Sequence, residues 1–374
     1  MTDRRAGIWL RVGKGGTLAL LLAPALLSAQ PSQPTKKLLP AGASVVMRAP
    51  LGLPRLVFPA DNPPTTATIA LGRRLFYSPL LSSDRTIACA SCHDPDKGFT
   101  DNKAVSIGVQ SQTGTRSAPS IINSAYWSSL FWDGRAASLE AQVESPITNP
   151  VEMANTAEEV VARLQADSDY RQAFEKAWGT EEITFEMVSK SIASFERTLV
   201  NGDSPFDRYY YGGDKSALSP SAQRGLKVFM DSRKGNCAAC HTIGKTYALF
   251  TDQKFHNIGI GANTDGSLTD PGRFAETKND NDMGSFKTPS LRGAIWTAPY
   301  MHDGSVPTLK DVIDHYIGGG NSNPHLDKRI RVLDFLSGPE RRDLLEFLKS
   351  LSGPMPPNVG RPENDSNRLN RSPE

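Results

Sequence analysis

This 374-residue chain contains four cysteines, in two pairs, each followed directly by a histidine: Cys89-Ala-Ser-Cys92-His93 and Cys237-Ala-Ala-Cys240-His241. No other feature restricts the possible folds as strongly. Two thiols at this spacing can add to the two vinyl groups on one porphyrin edge, and the adjoining imidazole is then placed beneath the iron. A lone Cys-x-x-Cys would also suit a redox disulfide. Two together would also suit a four-cysteine zinc site, but such pairs usually lie close together. The trailing histidine in both copies, and the 148-residue offset from His93 to His241, favour two covalently bound haems c.

The spacing reads as an internal duplication. Ala70-Leu-Gly-Arg-Arg-Leu-Phe-Tyr77 precedes the first motif and Gln223-Arg-Gly-Leu-Lys-Val-Phe-Met230 the second. Both read as short amphipathic helices leading into a haem motif, the second with Ser219 as N-cap and Pro220 at the first helical position. Further helices are expected from Thr156 to about Asp167, over about Tyr170–Trp178 and Phe185–Val200, between Thr308 and Gly318, and from about Pro339 to Leu351. No sheet of any size is expected. The fold class is mainly α, two cytochrome c-like haem domains in tandem with long loops. The expected divisions are a signal peptide (1–29), a Pro-rich linker and irregular first strand (30–66), an N-terminal haem domain (67–213), a C-terminal haem domain (214–352) and a disordered tail (353–374).

The signal peptide rests on Arg4, Arg5, Arg11 and Lys14 ahead of an apolar run from Thr17 to Leu27, with small residues at Ala23, Ala25, Ser28 and Ala29. The run is about half the roughly 20 residues a span requires. The expectation is therefore an exported, periplasmic protein with no membrane span after cleavage. The remaining chain carries 38 basic and 39 acidic residues, a balance that gives no general attraction to nucleic acid or anionic lipid.

Six histidines are present: His93, His241, His256, His302, His315 and His325. None lies between 93 and 241, so the first domain has no second imidazole for its own iron. Unless Met153, Met187 or Met230 reaches it, that iron keeps a free sixth position, where oxygen or peroxide can bind. An enzyme with one reactive haem and one electron-storing haem follows. Around the second haem, Leu309, Val312, Ile313 and Tyr316 share one helical face, with Thr308 as N-cap and Gly318 as stop, and His315 is turned away. On spacing alone Tyr316 reads as a core tyrosine. Met301 and His302 occupy a loop that could face a haem.

From about 65 to 352 the chain resembles the bacterial di-haem cytochrome c peroxidase/MauG family. The resemblance is carried by both haem motifs, Phe131-Trp-Asp-Gly-Arg-Ala-Ala-Ser-Leu-Glu-Ala-Gln142, Pro146-Ile-Thr-Asn-Pro-Val-Glu-Met153, Phe286-Lys-Thr-Pro-Ser-Leu-Arg292 and Ala298-Pro-Tyr-Met-His-Asp-Gly304. It implies a peroxidatic N-terminal haem fed with electrons by the C-terminal one, with Gln142, Pro146 and Glu152 on the peroxide side. It also implies Trp132 between the haems, and an inter-haem calcium ion held by Asn123 and the carbonyls of Thr297 and Pro299. Implied partners are hydrogen peroxide and an electron-donor protein, a small cytochrome c or cupredoxin, or else a protein substrate.

Three departures locate the chain within that family. The typical peroxidase branch brings a blocking histidine soon after the first motif; here the region around Val109 has none. That branch ligates the second haem with a methionine fourteen residues after the histidine of His-Asp-Gly. Here Tyr316 holds that position, which matches the MauG branch and makes it the implied axial ligand. MauG itself carries a tryptophan before its second motif, where this chain has Arg233-Lys-Gly-Asn236. The leading expectation is a di-haem peroxidase, with oxidative modification of a partner protein and a purely electron-carrying di-haem cytochrome as rivals.

Overall fold

The computed structural model describes residues 38–333 and 335–362. The expected signal peptide, the first part of the linker and the end of the tail lie outside the described residues. Eleven α-helices are found among the described residues: α1 (Thr66–Phe76), α2 (Cys89–Cys92), α3 (Leu139–Thr148), α4 (Ala157–Ala166), α5 (Ser168–Trp178), α6 (Phe185–Glu196), α7 (Pro205–Tyr210), α8 (Pro220–Met230), α9 (Phe274–Thr277), α10 (Leu309–Ile317) and α11 (Gly338–Lys349). The one sheet among them is a two-residue antiparallel pair, β1 (Phe255–His256) and β2 (Phe286–Lys287), with Phe255 opposite Lys287. The architecture is mainly helical, with the haem motifs carried on long loops.

Side-chain caps start the helices where the sequence places them. The hydroxyls of Ser219, Thr308 and Thr156 accept from the backbone N–H three residues on, meeting donors that a helix start leaves unpaired. Each haem motif is framed by a crossing of two helices, and both crossings depend on a glycine. On α1, a Cβ at Gly72 would lie 1.8 Å from the Ser191 carbonyl oxygen on α6; on α8, one at Gly225 would lie 2.0 Å from that of Asp343 on α11. The helix backbones meet there without an intervening side chain. Phe76 and Phe229 then enter the two cores, burial being worth about 1.5–3 kcal/mol for such a side chain. In the second core Phe206, Phe229, Phe250 and Phe347 pack in edge-to-face and tilted pairs.

Three expected divisions differ from what is found. Residues 38–65 are irregular but docked: Leu53 and Leu56 are buried, and the Asn62 amide donates to Glu140 and to the Lys190 carbonyl. The tail is ordered as far as 362. Tyr77 donates its hydroxyl to the Val359 carbonyl, Arg73 donates to that of Gly360, and Asn201 clasps Gly353. Both segments lack periodicity, yet find partners for their backbone groups on the helical cores. The core boundary also falls before 213. Phe206 on α7 belongs to the second core, and Asp207 is wholly buried against Arg292, whose guanidinium also donates to the carbonyls of Gly52 and Ala248.

Candidate active site: two haem cavities

Each cysteine–histidine motif opens onto its own cavity. Cys89, Cys92 and His93 line one of about 170 Å³, and Cys237, Cys240 and His241 one of about 250 Å³. All four thiols are free. Burial pushes the Cys92 thiol up to about 11 and that of Cys237 to about 12, so both stay neutral. His93 Nδ1 donates to the Phe99 carbonyl (3.0 Å) and His241 Nδ1 to that of Phe250 (2.8 Å). That bond fixes the tautomer and leaves each Nε2 as the free nitrogen for iron. Phe99 and Phe250 both adopt left-handed backbone, at φ 59° and 52°, a conformation costing of order 1–3 kcal/mol that aims the carbonyl at the imidazole. Burial lowers the affinity of both imidazoles for a second proton. In the first cavity, buried Ser106 Oγ and Glu196 Oε2 have no hydrogen-bond partner among the described residues. Thiols, neutral imidazoles and apolar walls in this arrangement fit two covalent haems.

Gln142, Pro146 and Glu152 meet in the first cavity, together with Trp132 and Met153. Helix α3 explains the first two. Leu139, Val143 and Ile147 are buried against the core, which turns Gln142 and Pro146 toward the cavity. Glu152 Oε1 accepts from Asn149 Nδ2 at 2.7 Å. Burial raises its pKa, with the Asn149 bond and Arg135 opposing. Met187 is buried in the core and Met230 is largely exposed, and neither lines the cavity.

Tyr316 lies in the second cavity beside Leu309 and Val312, while Ile313 and Ile317 turn to the core. Burial, reinforced by the neighbouring thiols of Cys240 and Cys237, pushes its phenol well above the usual range. His315 is turned away and bonds the Ile258 carbonyl. Met301 and His302 also line this cavity, His302 stacked on Phe286 with centroids 3.6 Å apart.

The duplication extends further than the sequence motifs indicated. Ser120 donates to the Gly98 carbonyl and Ser290 to that of Leu249; Leu130 bridges Ala136 as Tyr300 bridges Val306. At the same spacing α3 matches α10: Ser138 and Thr308 cap them, and Leu139, Val143 and Ile147 correspond to Leu309, Ile313 and Ile317. In this frame Trp132 corresponds to His302, and Pro146 to Tyr316. Trp132 borders both cavities and donates Nε1 to the Ser117 carbonyl at 2.9 Å.

Asn123 is not brought to Thr297 and Pro299 by any described contact. It is fully buried, and its amide is engaged in both directions with the backbone of Asn201. The nearby carbonyls of Trp296 and Ala298 accept instead from Asn102. That pattern fits a structural amide.

Sequence reasoning missed two groups. Glu196, at the end of α6, which is buried from Met187 on, lines the first cavity; burial pushes it up to about 8, with Arg197 opposing and Glu140 adding. At the rim of the second cavity, His256 is bonded between Asp252 and Asp327, and Arg329 reaches both His256 and Asp327. Only an acidic residue inside an otherwise buried helix, and the four-residue spacing of Asp252 and His256, could have signalled them.

Among the described residues no helix is long and apolar enough to cross a membrane. Residues 66–216 match the family described as di-haem cytochrome c peroxidase, and 285–316 match one described as RoxA-like, cytochrome c-like. The chain is 39% identical over 344 residues to the methylamine utilization protein MauG of Methylorubrum extorquens, covering 92% of this chain and 93% of that protein. It is 38% identical over 294 residues to the cytochrome c551 peroxidase of Pseudomonas aeruginosa, covering 76% and 79%. A crystal structure of a MauG-like protein associated with microbial copper homeostasis matches with a TM-score of 0.74 at 35% identity, covering 81% of this chain and 94% of that one. With both haem motifs in place on a duplicated helical scaffold, the chain belongs to the di-haem cytochrome c peroxidase/MauG family of haem oxidoreductases.

Proposed function

We propose that the chain is a periplasmic di-haem peroxidase of the MauG-like branch, reducing hydrogen peroxide at the N-terminal haem and storing or relaying electrons at the C-terminal one. The observation that carries this reading is the correspondence of Pro146 with Tyr316. A prolyl ring has no lone pair to offer iron and a phenol does, so this position would leave iron unligated in the first cavity and would supply Tyr316 as a ligand in the second. Cys89, Cys92 and His93 would hold the first haem; Cys237, Cys240, His241 and Tyr316 the second. When bound, the haems supply redox-active iron and, on the free face, a place for peroxide.

The chain's own groups handle protons and position. With Glu152 Oε1 engaged by Asn149, Oε2 is the atom left to take a proton from the inner peroxide oxygen and return it to the outer one, so that water departs. Its raised pKa suits a group that must both hold and release a proton. The Gln142 amide orients the peroxide, and the Trp132 indole passes electrons between the cavities. As an iron ligand Tyr316 would give up its proton, and the phenolate would favour ferric iron and lower the potential of the second haem. The donor is a small cytochrome c or cupredoxin. Oxidation of a side chain on a partner protein is a second reading, favoured by Tyr316 and by likeness to proteins named MauG. Residues 233–236 offer no aromatic for the corresponding route.

The test is turnover with hydrogen peroxide and a reduced small cytochrome c, alongside EPR of the resting protein. Consumption of both reactants, with one high-spin and one low-spin haem, is expected, and Tyr316→Phe is expected to alter the low-spin signal alone. A wholly low-spin protein indifferent to peroxide overturns the reading; an unaltered signal in Tyr316→Phe makes Tyr316 a core residue.

A further inference from the structure

Two tryptophans, not one, border both cavities: Trp127 and Trp132. Their surroundings differ in charge. Trp132 donates its indole N–H to the Ser117 carbonyl, and no cation lies over its ring among the described residues. Over Trp127, Lys287 Nζ sits 4.0 Å from the ring centroid. Lys287 is 7% exposed, and its Nζ also donates to the Ser129 carbonyl at 2.6 Å. Its backbone N–H donates to the Trp132 carbonyl at 2.8 Å, so this residue on β2 is fixed against the loop that carries both indoles.

A cation over the face of a neutral indole is attracted to it. Removing an electron from that indole turns the attraction into repulsion between two positive charges, in a site screened poorly by solvent. Both effects make Trp127 the harder of the two to oxidise. We propose that Lys287 selects the electron route between the haems, its ammonium keeping Trp127 reduced and leaving Trp132 as the indole that gives up electrons. Burial brings Lys287 down to about 7, with Asp133 opposing, so the ammonium predominates below neutral pH, where the contrast between the two indoles is greatest.

This inference rests on the peroxidase reading, with peroxide as the oxidant. Each peroxide takes two electrons and two protons to become two waters. With a donor present, each electron lost by an indole is replaced. Without one, the indole loses two electrons and two protons in total with water, whose oxygen bonds to a ring carbon. The sum is indole plus peroxide giving hydroxyindole plus water.

The experiment treats the holoprotein with hydrogen peroxide and no reductant, then measures oxygen addition at each tryptophan by peptide mass mapping. In the native protein and in Lys287→Arg, which keeps the charge, addition falls mainly on Trp132. In Lys287→Gln the Trp127-to-Trp132 ratio rises by about tenfold or more. An unchanged ratio in Lys287→Gln overturns the proposal, as does a shift of equal size in Lys287→Arg. Should the lysine variants fail to fold, Trp132→Phe decides: Trp127 stays unmodified, and its modification to the native level of Trp132 overturns the proposal. A native protein that consumes no peroxide overturns the peroxidase reading and this inference together, whereas consumption with an unchanged ratio overturns this inference alone.

Discussion

The N-terminal and C-terminal haem regions are built from the same parts and finished differently. Both cross two helices over a glycine, at Gly72 and Gly225. Both hold the motif histidine through a carbonyl on a left-handed phenylalanine, Phe99 or Phe250. Both line the cavity with a capped helix, α3 or α10. They diverge at a few cavity-facing positions: Pro146 against Tyr316 and Trp132 against His302. The shared parts are held by backbone contacts and core packing, which tolerate little change. None of these four side chains belongs to a buried core cluster, so one scaffold can serve two chemistries.

The largest expected effect tests the proton-handling half. Glu152→Gln keeps the side chain's size and its bond with Asn149 but cannot relay a proton. Peroxide consumption should fall by about 10²–10⁴-fold, measured by stopped-flow on protein with both haem absorbances intact. A native rate would remove the functional contrast between the regions. A smaller effect tests their structural likeness. Gly72→Ala and Gly225→Ala each force a methyl into a backbone crossing, and each should cost about 1–3 kcal/mol or more in denaturant unfolding. A cost at only one position would show that the two crossings are not equivalent.

A pH effect concerns an ionisable group with no counterpart among the second cavity's carboxylates. Glu196 has a folded pKa of about 8 against an ordinary 4.5. Between those values the folded chain keeps a proton that the unfolded chain has lost, so stability falls as pH rises through the window. The contribution is fully present below about 4.5 and is lost by about 8. Glu196→Gln should therefore flatten the dependence of the melting temperature on pH across this range. A profile as steep as the native one would assign the dependence to other groups.

Much of this was legible in one dimension. The haem motifs are local, because thiols and imidazole act within five residues. Helix starts were legible because Thr156, Ser219 and Thr308 cap through bonds three residues long. Residues 38–65 and 353–362 were not, because irregular segments carry no period and their partners lie on distant helices. The boundary placed at 213 failed for a related reason. The aromatic run near 209–211 resembles a linker until Phe206 and Asp207 are seen buried against Phe250, Phe347 and Arg292.

By itself the sequence determined where the two haem-attachment motifs stand, which histidine follows each cysteine pair and that helices enclose them, since each depends on contacts within a few residues. Only the tertiary structure decided that Pro146 and Tyr316 occupy one position in two copies, that Asn123 is spent on Asn201, and that Lys287 rests on Trp127. Those relations join residues about 80 to 170 positions apart, and chain-distant side chains acquire a common environment only when packing brings them together.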